Sequence, residues 1–444
     1  MFTNLAFIIL TMEPTSLTPS NFNPREDGGP FTRNSIEIRS QLSLRKISTK
    51  DFASDVKKLQ GLACKGQWRA LLEMVKEARN FFVLLSPNEQ ITYSTYHVLA
   101  LMKLGSYGAA SDELASIGDL DGPKYHYEQY SDLYPGQFGS MVPFSLKWLH
   151  AELPHRLGMT TATIDRLYSL LDFCSRRYDD VQAKLESASM IFASDPVSVL
   201  LTGLTDGSTD SLPVAPQPLH DDFHSNERAV DSPKQPSALQ TLLGRWKRRR
   251  EIVLFSILNH HLSQREFMVA LNLLNQLLES KPSDPILWSK FGYVQLQLGD
   301  FEGAKATFLK VEGLTGEESL GALTDTSFAC LLARNEGLHS FVEKKYPAAI
   351  KAFNAVLERN PEDAVAANNK ALCLMYSRDL IKATQVLEEM LQTHTLVALN
   401  ETLVLNLCSM YELASVNSIE SKRTLSAWML QIAPDDFDLT CTRL

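Results

Sequence analysis

No apolar run in the 444 residues reaches the roughly 18 needed for a helix to cross a bilayer. The stretch Leu5–Leu10 is too short. It has no basic flank and no small-residue cleavage motif, so a signal peptide is not expected, and Met12 is a second candidate start. Cysteine is scarce and scattered: Cys64, Cys174, Cys330, Cys373, Cys408 and Cys441 show no short pair spacing. That excludes a disulfide frame or zinc knuckle and predicts reduced thiols in a cytoplasmic protein. Positive charge is in deficit, with 43 Lys and Arg against 52 Asp and Glu, a net charge of −9. A general nucleic-acid binder would need a basic face. The sequence contains no Walker A loop, dinucleotide glycine fingerprint, His-Glu-x-x-His or Gly-x-Ser-x-Gly. The expectation is a protein with no catalytic site, no cofactor and no metal.

Three weaker patterns read as structure. Asp119-x-Asp121-Gly122 with Glu128 echoes a calcium loop, but Ile117 falls at the first ligand position, so a plain turn is expected. His150 and His155 lack further ligands nearby, and His260-His261 sits inside a helical pattern. Lys247-Arg248-Arg249-Arg250, after Trp246, is the one strong charge run; it reads as a solvated face or a contact with an acidic neighbour.

What is present is periodic. Ala270, Ala304, Ala349 and Ala383 are spaced by 34, 45 and 34 residues. Phe267, Phe301 and Tyr346 stand three before the first three of them, and Leu274, Phe308, Phe353 and Leu387 four after all four. Pro282 and Pro361 stop helices twelve after the first and third, while Trp288 and Gly292 precede Ala304. This is the tetratricopeptide pattern of stacked helix pairs, with small residues where helices meet. It predicts an all-α solenoid. The extra residues of the 45-residue gap belong to 311–326, where Gly313, Gly316 and Gly321 cluster. First-helix positions then line a mostly apolar concave groove: Phe255, Asn259, Tyr293, Arg334, Leu338, Phe341, Asn368 and Leu372, with Ile252, Leu262, Ile286, Ser289, Leu296, Leu331, Val365 and Met375 beside them. Such a groove accepts a partner helix. A co-chaperone adaptor that grips a chaperone C-terminal carboxylate is the alternative reading; Asn259 fits that clamp, whereas Phe255 and Lys290 break it.

The expected order along the chain is a disordered tail at 1–54, then a helical block at 55–200. The block holds a degenerate repeat around Tyr107 and Ala110, a Tyr-rich loop from Asp119 to Gly139, and helices Pro143–Leu153, Thr163–Tyr178 and Val181–Phe192. An acidic Pro-rich linker follows at 201–238; Gly203–Gln240 holds six acidic and two basic residues. The repeat domain spans 239–434 and a short tail 435–444.

The segment Gly139–Pro154 (GSMVPFSLKWLHAELP) is not a generic repeat. With Asp165–Tyr168 and the stretches Trp288–Gly292 and Gly299–Ala304, it resembles the tetratricopeptide subunits of the trafficking protein particle (TRAPP) tethering complex, over roughly residues 57–200 and 240–434. The resemblance implies a non-catalytic scaffold in a multisubunit assembly that promotes nucleotide exchange on a Rab GTPase in ER–Golgi traffic. It implies a cytoplasmic protein, peripheral at Golgi or related membranes, whose contact with the membrane and with the Rab runs through other subunits.

Overall fold

The computed structural model describes residues 49–80, 86–194, 229–230, 236–314, 324–415 and 417–443. Its elements are helical apart from one two-residue strand pair. Two compact units are present, one running to Ile257 and the other starting at Leu258. That division falls inside a helix, whereas the sequence pattern puts it across 201–238. Residues 201–228 and 231–235 of that expected linker lie outside the described residues, as do 195–200 at the end of the expected helical block, 1–48 of the expected tail and 315–323 of the insertion.

The first unit opens with α1 (Thr49–Cys64), which begins six residues before the expected start at residue 55. It continues with α2 (Trp68–Arg79), α3 (Pro87–Lys103) and α4 (Tyr107–Ile117). Ser86 and Glu89 close a capping box that starts α3. Gly105, with φ 72°, turns the chain between α3 and α4, and Ala110 is buried at the crossing, as a degenerate repeat requires. The Tyr-rich segment forms two 3-10 turns, Pro123–Tyr125 and Tyr127–Tyr130. Tyr127 is buried edge-on to Tyr134, and the Tyr125 hydroxyl donates to the Ile117 carbonyl. Asp119 accepts from the Asp121 amide, Asp121 pairs with Lys147, and Glu128 accepts from the Gly139 amide. These carboxylates are engaged within the fold, and among the described residues no group of His, Cys, Asp and Glu is arranged to hold a metal.

Next come α5 (Phe144–Arg156) and α6 (Thr160–Ser194). The sequence pattern divides α6 into two helices at Asp179-Asp180. The structure makes it one helix of 35 residues. No Pro or Gly interrupts the stretch, so nothing in it breaks the backbone ladder. β1 (Gln137–Phe138) pairs antiparallel with β2 (Ala229–Val230), a pairing that composition alone does not foresee in the acidic segment.

The helix α7 (Pro236–Ser263) ends the first unit and opens the second. The second unit is the repeat array: α8 (Phe267–Ser280), α9 (Pro285–Leu298), α10 (Phe301–Glu312), α11 (Asp325–Val342), α12 (Tyr346–Arg359), α13 (Ala364–Tyr376), α14 (Leu380–Thr393), the short α15 (Thr395–Ala398), α16 (Glu401–Ala414) and α17 (Ser418–Ile432). Aspartates start four of the repeat helices: Asp284, Asp300, Asp363 and Asp379 accept from amides of the first turns of α9, α10, α13 and α14. Ala270, Ala304, Ala349 and Ala383 are fully buried at the helix crossings, with Leu274, Phe308, Phe353 and Leu387 buried beside them. Trp288 is half-buried and donates to the Pro282 carbonyl, and Pro361 stands exposed just before α13. The expected tail at 435–444 forms a 3-10 turn, Leu439–Thr442, whose Leu439 and Cys441 pack on the core around Leu407 and Cys408.

Gly292 explains why the array is close-fitting. A Cβ at that position would lie 2.4 Å from the Phe308 ring. Gly337, one repeat on, repeats the arrangement: its Cβ would lie 2.8 Å from the Phe353 ring. The repeat pattern in the sequence marks the first of these glycines and not the second, although both sit 16 residues before their phenylalanine.

Candidate protein-binding surface

The first-helix face of the repeats is more occupied than the sequence pattern implies. Tyr293 donates from its hydroxyl to Asn335 Oδ1 at 2.7 Å, and Asn335 donates to Ser289 Oγ at 2.9 Å. Burial pushes the Tyr293 phenol well above its ordinary pKa. Arg334 sends Nε and Nη2 to Asp363 Oδ2, at 2.9 and 2.5 Å. The other oxygen of Asp363 caps α13 by accepting from the Ala366 amide. Asn368 is buried and accepts from Asn406 Nδ2 at 2.9 Å. Leu338 and Leu372 are core residues. Phe341 is half-buried and edge-on to Tyr346 and Tyr376, which stack on each other.

These contacts put Tyr293, Arg334, Leu338, Asn368 and Leu372 into a ladder that ties neighbouring repeats together. What this face leaves open in the second unit is Asn259, Ile286 and Val365, with Phe341 partly exposed. Phe255 is half-buried in the first unit. Arg334 is committed to Asp363, and burial lowers the pKa of Lys290. Neither is arranged as a solvent-facing cation for a peptide carboxylate.

Half of the basic run departs from the solvated face expected of it. Arg249 is 2% exposed, with its guanidinium over the Phe144 ring at 5.1 Å and the Trp246 ring at 4.7 Å. Arg250 lies over Tyr178 at 5.0 Å. Trp246 meets Phe173 edge-on, Lys147 lies over Phe173 at 4.2 Å, and Trp148 Nε1 donates to Ser256 Oγ at 2.9 Å. Cation–π contacts of this kind gain strength when they are desolvated. Arg249 and Arg250 thus belong to a seam joining α7 to α5 and α6, while Lys247 is half-buried and Arg248 exposed. The Gly139–Pro154 segment supplies one side of that seam through Phe144, Lys147 and Trp148. This is a physical reason for a stretch so unlike a generic repeat. The cue in the sequence is Trp246 beside the arginines.

A second polar node lies within the first unit. Arg79 donates to both oxygens of Glu113, at 2.9 and 2.8 Å, and lies 2.7 Å from His97 Nδ1. Burial opposes ionisation of Glu113, but the hydrogen bonds from His97 and Arg79 and their charges outweigh it and hold the carboxyl at about 2.

Known proteins share parts of this chain. The tetratricopeptide-repeat family model matches residues 257–316 and 341–393. Trafficking protein particle complex subunit 12 of Homo sapiens is 29% identical over 346 residues, which is 78% of this chain and 41% of that protein. The Mus musculus protein of the same name is 30% identical over 346 residues, covering 78% and 38%. This chain thus spans about two fifths of the length of the curated relatives it matches. Among solved structures, MamA from Desulfovibrio magneticus RS-1 aligns at 18% identity over 40% of this chain and 93% of its own, with a TM-score of 0.28. The chain is an all-α tetratricopeptide-repeat protein whose sequence is similar, over 346 residues, to trafficking protein particle complex subunit 12.

Proposed function

We propose that this chain is a non-catalytic scaffold subunit of a TRAPP-type vesicle-tethering complex. In that role it holds accessory subunits in place and supports nucleotide exchange on a Rab GTPase in ER–Golgi traffic, as a cytoplasmic protein recruited to Golgi-related membranes. The observation that carries this reading is the similarity to subunit 12, which extends across 78% of the chain and so beyond the two repeat matches. A helical array is suited to the task because it offers a long face and needs no reacting groups. For the subunit contact we propose the open part of the first-helix face in the second unit, centred on Ile286, Phe341 and Val365, with Asn259 at its end. The buried ladder beneath keeps that face rigid. An aromatic anchor such as Phe341 commonly costs on the order of 2 kcal/mol when truncated. Ile286→Asp with Val365→Asp places charge at two exposed positions and leaves the core untouched. A pull-down paired with a thermal melt is the test. Loss of the other subunits from a variant that melts normally is expected; full retention moves the interface elsewhere.

A further inference from the structure

The first-to-second helix turns of four successive repeats fall at 264–266, 299–300, 343–345 and 377–379. Each second helix packs on the first helix of the next repeat, so the turns line one edge of the array. All four contain a left-handed residue: Arg265 (φ 63°), Gly299 (φ 86°), Lys344 (φ 64°) and Arg378 (φ 68°). Glycine adopts this conformation without penalty, yet three of the four positions carry an exposed cation instead. None of the three has a carboxylate partner among the described residues. The acids of the edge are otherwise engaged: Glu266 with His261, Glu343 with Lys345, Asp379 with Lys382, and Asp300 as the cap of α10. Glu302 is the one exposed acid left against those cations. Beside the cations, apolar side chains stand out at the turns. Ile381 is 72% and Met268 63% exposed, and Phe301 and Tyr376 are exposed as well. The residues named on this edge balance, five cations against five acids, whereas the opposite edge is net acidic, with Glu279, Asp284, Glu358 and Glu362 against Lys281 and Arg359.

We propose that this turn edge is a membrane-contact surface that rests on an anionic lipid bilayer. Protruding aliphatic and aromatic tips flanked by unpaired cations have the composition of an interfacial anchor. A protein partner would instead meet a concavity or a continuous apolar patch; here Met268, Phe301 and the Tyr376–Ile381 pair stand at three different turns. The acidic opposite edge is repelled by the same surface, which fixes the side presented. The inference is independent of the subunit contact proposed above and gives the chain a direct membrane contact where its family resemblance implied an indirect one.

The test is flotation of the full chain with vesicles of phosphatidylcholine alone or mixed with phosphatidylserine. Binding is expected to the mixed vesicles only, and it should fall as salt is raised. The combined variant Arg265→Gly, Lys344→Gly, Arg378→Gly keeps the backbone that the turns need. It should bind roughly 100-fold more weakly, at about 1 kcal/mol per cation near the surface. The pair Met268→Ser, Ile381→Ser should also weaken binding, while leaving its salt dependence unchanged. Failure of the wild type to float with phosphatidylserine vesicles at low salt overturns the proposal, as does equal binding by the triple variant. Loss of complex subunits from the triple variant, with no wild-type vesicle binding, would reassign the edge to a protein partner.

Discussion

Gly292→Ala should destabilise the protein, although alanine is the better helix former. The added Cβ would sit 2.4 Å from Phe308 Cε1 and 3.0 Å from Cδ1 and Cζ. Carbon atoms in contact settle at about 3.5–4.0 Å, so the ring must retreat by roughly 1 Å. Phe308 is buried, and its ring faces Tyr293 at 5.9 Å between centroids. Tyr293 is itself tied to Asn335, so retreat on that side also strains a hydrogen bond. Overpacking of this kind costs about 1–3 kcal/mol, and the gain in helix propensity returns about 1, leaving a net loss of up to about 2 kcal/mol. For a unit of this size that lowers Tm by up to about 8 °C. Gly108→Ala is the control, since Gly108 is helical and nothing lies within 4 Å of its added Cβ. There the same change should raise Tm. Melts of both variants by circular dichroism, with Phe308→Leu added to Gly292→Ala as the compensating change, complete the test. A rise in Tm for Gly292→Ala equal to that for Gly108→Ala would refute the close helix crossing.

Further predictions follow from the polar nodes and the α7 seam. Glu113 is held near 2 in the folded state against 4.5 for a solvated glutamate, so it adds stability above pH 4.5 that is lost as pH falls toward 2. The contribution is on the order of 2–3 kcal/mol, and Glu113→Gln should flatten the acid limb of a Tm-versus-pH curve. Arg334→Leu strands the 5%-exposed Asp363 carboxylate and should cost about 3–5 kcal/mol by denaturant titration; the double change with Asp363→Asn should recover part of it. Limited proteolysis that cuts within 203–235 should leave fragments that co-elute on gel filtration, because Trp246 and Arg249 remain seated on Phe144 and Phe173. Arg249→Ala should let those fragments separate.

The repeat phase is legible in the sequence because it is a local rule: small residues recur where helices cross, and Ala270, Ala304, Ala349 and Ala383 all lie there. Gly337 escapes that rule because Ala333 stands where the preceding repeat has Trp288, so the pattern has no aromatic anchor there. The groove positions lie on the expected helices, but periodicity reports which face a residue shares and not whether its hydrogen bonds are already made. Tyr293, Asn335 and Ser289 satisfy one another across two repeats, and Arg334 meets Asp363 from 29 residues away. The arginine run fails as a surface motif for a related reason. Its partners Phe144 and Tyr178 stand on α5 and α6, far outside any window that reads charge against helical spacing.

A fixed member of a multisubunit assembly must keep its partners at constant stoichiometry. Affinity purification of the tagged chain, followed by quantitative mass spectrometry across a gel-filtration profile, measures this. Several other subunits should co-elute with the chain at one constant ratio in every fraction. A chain that elutes alone, or with a chaperone only, would contradict the scaffold role.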